Sequence, residues 1–325
     1  MSGPLFHGGD IAGARVRFPD APEPWVDLST GINPHPYPVP PLSPQAFTRL
    51  PDRDALDRLL RAAAARYGAP SPAHVVAAPG TQSLLPTIAR MAGCGVARVL
   101  SPTYAEHARA CALAGHAVQE VDRLEDLAGA DLAIVVNPNN PDGRLHSPDA
   151  LRALAGRVGL LLVDEAFLDT GGEAMDALVD ALPLVVLRSF GKFYGLAGVR
   201  LGFAVCAPAR AEALRAVLGP WAVSGMALEI GAAALEDGAW AEATRARLVA
   251  DAARLDGVLA GAGLRVIGGT PLFRLVSSPD APTVHERLCR TGILIRPFPT
   301  YPDRLRFGLP GTEEEWQRLE RALRP

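Results

Sequence analysis

The sequence predicts an α/β protein: a large domain built on a mainly parallel sheet, followed by a smaller α+β domain. Two observations carry this. From Val96 to Cys206, short apolar runs alternate with helical stretches, the pattern of a parallel sheet covered on both faces. After about Trp221 the rhythm changes to long helical runs and then closely spaced strand-like segments. The 325 residues, 49% hydrophobic and 21% charged, are enough to bury a sizeable core. The expected divisions are an N-terminal arm over 1–40 that joins the small domain and the active site, a large domain over 41–220 and a small domain over 221–325.

The first 50 residues are rich in proline and glycine. NPHPYPVPP must be extended, because proline fixes its own φ and restricts the residue before it. Such a stretch is either a flexible arm or an ordered one that crosses a partner subunit. DALDRLLRAAAARY, from Asp54 to Tyr67, repeats apolar residues at helical spacing. Strands are expected over Val96–Leu100, Leu132–Asn137, Leu160–Asp164, Leu184–Arg188 and Leu201–Cys206. Helices are expected over Gln82–Met91, Tyr104–Ala114, Pro148–Arg157 and Ala209–Leu218. A long helical run, Met226–Ala262, should break near Gly238. Strand-like Leu264–Ile267, Leu272–Val276, Ile293–Arg296 and Leu305–Gly308 follow, then a last helix over Glu313–Leu323.

The net charge is −3, from 32 basic and 35 acidic residues, and the arginines form no block. Nothing there favours nucleic acid or an anionic membrane. Cys94, Cys111, Cys206 and Cys289 lie far apart with no CxxC pair, which argues against a zinc site and a disulfide framework. Reduced thiols fit the cytoplasm. The opening MSGPLFHGGD lacks a basic segment followed by an apolar one, so no signal peptide is expected. No apolar run approaches the roughly 18 residues of a membrane span.

Ligands of open parallel sheets bind beyond the carboxyl ends of the strands. Four signals fall there, in order. PGTQS (Pro79–Ser83) precedes a helix; it is either an ordinary capped start or a phosphate site built from free N–H groups. NPNNP (Asn137–Pro141) either begins a turn or offers Asn140 as a donor to a ligand oxygen. DEAF (Asp164–Phe167) closes the apolar run LLLVD, and an acid there needs a partner. That partner is a helix end, a cation of the protein or a protonated ring nitrogen. SFGKFYGLAGVRLGF (Ser189–Phe203) holds Lys192 in a glycine-rich apolar setting, with Arg200 eight residues on. Such a lysine either snorkels to the surface or serves as a Schiff-base nucleophile once desolvated.

In this order the four motifs resemble those of the fold type I pyridoxal-phosphate (PLP) enzymes, the aminotransferase class I/II group. The resemblance runs from about His7 to the last helix. It implies PLP as cofactor, held by Lys192 as a Schiff base. It implies a phosphate cup of Gly80, Thr81, Gln82, Ser189 and Arg200. It pairs Asp164 with the pyridine nitrogen and Asn140 with the ring hydroxyl. It stacks Tyr104, from SPTYAEH, on the ring. It assigns Arg306, from LRFGLPG, to the substrate α-carboxylate. Members of the group are usually homodimers, so a homodimer is expected.

Two branches of the group are similar to this chain. One transaminates histidinol phosphate. The other decarboxylates L-threonine O-3-phosphate to (R)-1-amino-2-propanol O-2-phosphate in cobalamin biosynthesis. The start HGGD with DLSTGINPHPYP resembles the decarboxylating branch, as does ILIRPFPTYPDRLRFGLP. DEAF puts Phe167 where the aminotransferases usually carry a tyrosine that bonds the cofactor's ring oxygen. The same resemblance implies that Arg296 binds the substrate phosphate, with help from His7 and Asn33. One departure is R-L-P-D (Arg49–Asp52) in place of R-Y-P-D: Leu50 cannot donate the hydrogen bond that this tyrosine makes to the partner subunit's cofactor phosphate.

Overall fold

The computed structural model describes residues 8–324, so His7 lies outside the described residues. The chain divides into two compact units. One comprises Pro36–Asn140 and Arg144–Glu242. The other takes in the chain up to His35, Pro141–Gly143 and the chain from Ala243.

The first unit is built on a seven-stranded sheet. Across it the strands run Val75–Ala78, Gly202–Cys206, Leu184–Ser189, Leu160–Asp164, Leu132–Val136, Val96–Leu100 and Ala117–Val121. Gly202–Cys206 is antiparallel to both its neighbours, and the other pairings are parallel. Six strands therefore present their carboxyl ends at one edge, and the reversed strand begins there. The central strands are buried along their whole length and apolar apart from the closing Asp164, as burial on both faces requires. Ala89, Cys111 and Leu214 of the covering helices pack with Ile134, Leu162 and Val185 of the sheet.

The five expected strands of this sheet form within a residue of their anticipated ends. Two others had no clear signal. Val75–Ala78 is four residues long and half alanine. Ala117–Val121 is a largely exposed edge with polar residues between the apolar ones. The helix anticipated over Gln82–Met91 starts at Leu85, after a 3₁₀ turn over Thr81–Ser83. Pro86 has no N–H to give, so it is tolerated only in a helix's first turn. The proline stretch is not a loose arm. Tyr37 is buried, its N–H donates to the Tyr194 carbonyl at 2.9 Å, and its ring meets Trp240 edge-on at 5.1 Å.

The second unit holds a four-stranded antiparallel sheet, ordered Arg296–Pro297, Arg304–Gly308, Phe273–Ser277 and Arg265–Thr270. Val26–Asp27 pairs in parallel with Ile293–Leu294. Helices Ala281–Arg290 and Glu313–Leu323 belong to the same unit, the latter opened by a capping box of Thr312 and Glu315. A short helix, Ile11–Arg17, packs Ala14 against Cys289 and Leu294. Its seven residues are too few for periodicity to announce. No helix among the described residues is long and apolar enough to cross a membrane.

Candidate active site

The carboxyl edge of the large sheet gathers the motifs because register forces it to. Ser189 lies opposite Gly202, and Gly202 opposite Ala78. Thus Ser189, the Gly80–Thr81 turn and the Arg200 segment meet across three adjacent strands. The contact is close. A Cβ on Gly80 would lie 2.9 Å from Arg200 Nη2, and one on Gly202 would lie 2.6 Å from the Thr81 nitrogen. Gly80 also has φ +81, which favours glycine. Arg200 itself adopts the left-handed region and donates through Nη1 to the Ala197 carbonyl at 3.1 Å. The result is a cradle of backbone N–H groups, two hydroxyls and a guanidinium, a donor set suited to a phosphate dianion.

One strand further along, Asp164 ends its strand almost fully buried. Its Oδ1 accepts from the Ala166 N–H at 3.0 Å, and its Oδ2 lies 3.0 Å from Nε2 of His107. His107 is wholly buried on the helix Glu106–Leu113. Phe167, three residues after Asp164, is buried, and the Lys192 ammonium lies 5.8 Å from the centre of its ring. Lys192 is half-buried between the buried Gly191 and Phe193. In the NPNNP loop, Asn137 exchanges hydrogen bonds with the His146 backbone, and Asn139 bonds Thr103 and the Pro102 carbonyl. These bonds fix the loop that carries the half-buried Asn140.

Tyr104 follows the next strand. Its hydroxyl donates to Gln82 Oε1 at 3.2 Å, and its ring meets His107 edge-on at 5.8 Å. Gly80, Thr81, Gln82, Tyr104, Asn140, Asp164, Phe167, Ser189, Lys192 and Arg200 therefore all belong to one unit and one edge of one sheet.

Asn33, Arg296 and Arg306 belong to the other unit. There Arg296 lies opposite Arg306 on adjacent strands. Arg306 is buried, donates through Nη2 to the Ser29 carbonyl at 2.7 Å and lies over the Phe273 ring. Burial and then the nearby Arg296 lower the Arg306 guanidinium to about 9, against the pull of Asp27. At neutral pH the group still carries its charge, though less firmly than an exposed arginine would. Asn33 is buried, and its Oδ1 accepts from the His35 N–H at 2.9 Å.

Two features were missed in the sequence. His107 reads as an ordinary position in the helical run EHARACAL; only the need of Asp164 for a partner pointed toward it. The other is a buried ion cluster, in which Arg188 bonds Asp176, lies 2.9 Å from Glu165 and 3.8 Å from Asp169. Burial, with Asp176 adding to it, raises the Glu165 carboxyl well above its usual range, against the pull of Arg188. Arg188 keeps its charge: burial works against it, and the surrounding acids outweigh burial.

The residues present fit PLP: a phosphate cradle, an anchored carboxylate for a ring nitrogen, an aromatic ring and a lysine, all at one sheet edge. The sequence matches the family Aminotransferase class I and II over residues 24–323. The chain belongs to this family. It is 44% identical to a threonine-phosphate decarboxylase of a Sinorhizobium species, over 99% of this chain and 98% of that one. It is 43% identical to a threonine-phosphate decarboxylase of Pseudomonas aeruginosa, over 98% and 97%. Its fold matches that of histidinol-phosphate aminotransferase from Sinorhizobium meliloti, solved in complex with pyridoxal-5'-phosphate. That match has a TM-score of 0.81 at 22% identity, over 99% of this chain and 94% of that one.

Proposed function

We propose that this chain is a PLP enzyme that decarboxylates L-threonine O-3-phosphate to (R)-1-amino-2-propanol O-2-phosphate in cobalamin biosynthesis. The observation that carries the reading is near-full-length similarity to two proteins named for that reaction. Buried Phe167 supports it, because a phenyl ring cannot give the cofactor's ring oxygen the hydrogen bond a tyrosine would.

PLP, when bound, supplies a conjugated ring that takes up the electron pair left on Cα as a bond there breaks. Thr81, Ser189 and Arg200 hold its phosphate, with the N–H groups of the Gly80 turn. Asp164, fixed by His107 and the Ala166 N–H, keeps a proton on the ring nitrogen through a charge-assisted bond. Asn140 donates to the ring hydroxyl oxygen, and Tyr104 stacks on the ring. Lys192 supplies the amine that bonds to the cofactor. With the substrate amine in its place on the cofactor, Lys192 would be released, and once CO2 has left its Nζ would deliver one proton to Cα in place of the lost carboxylate. Arg306 is assigned the substrate carboxylate, and Arg296 the substrate phosphate with Asn33 and His7.

The direct test incubates the protein with threonine phosphate and no keto acid. Stoichiometric CO2 without pyridoxamine phosphate supports decarboxylation. Accumulating pyridoxamine phosphate overturns it in favour of an aminotransferase, with histidinol phosphate as the substrate to try. Arg306→Lys exchanges a planar fork for a point charge. A lost charged hydrogen bond is worth about 1.5–3 kcal/mol, so kcat/KM should fall roughly 10- to 100-fold. An unchanged kcat/KM removes Arg306 from carboxylate binding.

We also propose that the protein works in the cytoplasm as a homodimer. The reading of a homodimer rests on the resemblance to a group whose members are usually homodimers. Sedimentation equilibrium giving a monomer rejects the dimer. Activity confined to a membrane fraction rejects the location.

A further inference from the structure

Gln82 stands in the candidate phosphate loop, yet its side chain is engaged elsewhere. It bridges two groups from the neighbouring strand-to-helix segment. Its Nε2 donates to Glu106 Oε2 at 3.0 Å, and its Oε1 accepts from the Tyr104 hydroxyl at 3.2 Å. Glu106 is buried, and its other oxygen lies 3.3 Å from Arg109 Nη1. An amide has one accepting end and one donating end, and a carboxylate only accepts. Glu106 therefore dictates which way the amide faces. A flipped amide would set Oε1 against the Glu106 oxygen and leave a donor facing the tyrosine hydroxyl. With the orientation set, Tyr104 is held at two points: its hydroxyl by Gln82 and its ring by the T-shaped contact with His107. His107 in turn holds Asp164.

We infer that Gln82 is a positioning residue whose side chain, oriented by Glu106, sets the plane of the Tyr104 ring. This rests on the reading that Tyr104 stacks on the cofactor. A ring that swings freely must be ordered when the cofactor binds, and a ring already held need not be. The chain Glu106–Gln82–Tyr104–His107–Asp164 thus links a face of the cofactor site to the group assigned to its ring nitrogen.

The test is a double-mutant cycle on the full chain: wild type, Gln82→Leu, Tyr104→Phe and the double variant. PLP affinity is read by titration into protein stripped of cofactor, and ring orientation by visible circular dichroism of the bound chromophore. The bridge is one hydrogen bond worth about 0.5–1.5 kcal/mol, so Gln82→Leu should weaken PLP binding roughly two- to tenfold and diminish the dichroic band. Tyr104→Phe keeps the ring and loses the hydroxyl. In that background Gln82→Leu should have little further effect. Glu106→Gln, which releases the amide, should diminish the dichroic band in the same direction. Equal effects of Gln82→Leu in both backgrounds overturn the inference, because Gln82 would then act without Tyr104. A wild type that binds no PLP fails the parent reading instead. The thermal unfolding of each stripped variant guards against a general loss of structure: a fall in melting temperature that tracks the loss of affinity also overturns the inference.

Discussion

Lys192→Ala is expected to lose turnover by about 10⁴-fold or more, the scale seen when a covalent catalyst is removed. The lysine is asked for two things: an amine that bonds the cofactor, and a proton for Cα. Alanine supplies neither, and no other lysine exists in the chain to substitute for it. Lys192→Arg keeps a positive charge but has no nucleophilic amine at neutral pH. It should be nearly as inactive, which separates chemistry from electrostatics. A second readout is independent of turnover. Borohydride should fix the cofactor covalently to the wild type, visible as a mass increase on the peptide containing Lys192. Neither variant should be labelled. Stability of the cofactor-free variants should stay within about 1 kcal/mol of wild type, because the side chain is only half-buried. Retained turnover, or label on another residue, removes Lys192 from the role.

Much of this site was legible because it lies on the most regular part of the fold. LLLVD and LVVLRS are apolar runs whose ends are marked by Asp164 and Ser189, and a parallel sheet brings such ends to one edge. Gly80 was legible as part of a helix start, though not as the glycine that makes room for Arg200. The groups that hold the site were much less legible. His107 faces Asp164 across 57 residues of sequence, and Gln82 meets Glu106 across 24. Neither pairing follows from local spacing; each depends on which strands become neighbours. The short helix Ile11–Arg17 and the edge strand Ala117–Val121 escaped for a simpler reason. Each buries too little apolar surface to impose a period on its residues.

The same distinction governs Arg188, invisible in the sequence as anything but a strand residue. Arg188→Met is expected to destabilise the cofactor-free protein by about 3–5 kcal/mol, the cost of leaving a buried charge without its partner. Asp176 and Asp169 would each lose their contact with the Arg188 cation, and the Arg188 contact with the Tyr67 ring, 4.9 Å from its centre, would go too. Loss on this scale is a large part of a typical domain's stability of about 5–15 kcal/mol. It is measured as the shift in the urea midpoint. A midpoint within experimental error of wild type rejects the role. Glu165 adds a pH signature. Its carboxyl titrates well above the usual range, so the folded state holds a proton that the unfolded state has released. From about pH 4.3, the ordinary glutamate value, upward, stability is therefore lost as pH rises toward the elevated folded value. Glu165→Gln keeps the shape and cannot ionise. Its midpoint should gain on wild type as pH rises through that window, and a constant difference between the two would contradict the assignment. The consequence reaches the site because Glu165 and Arg188 are the immediate neighbours of Asp164 and Ser189. Side chains alternate between the faces of a strand, so the cluster grips the face opposite the one that carries the chemistry. Loosening it would free the two strand ends that carry Asp164 and Ser189.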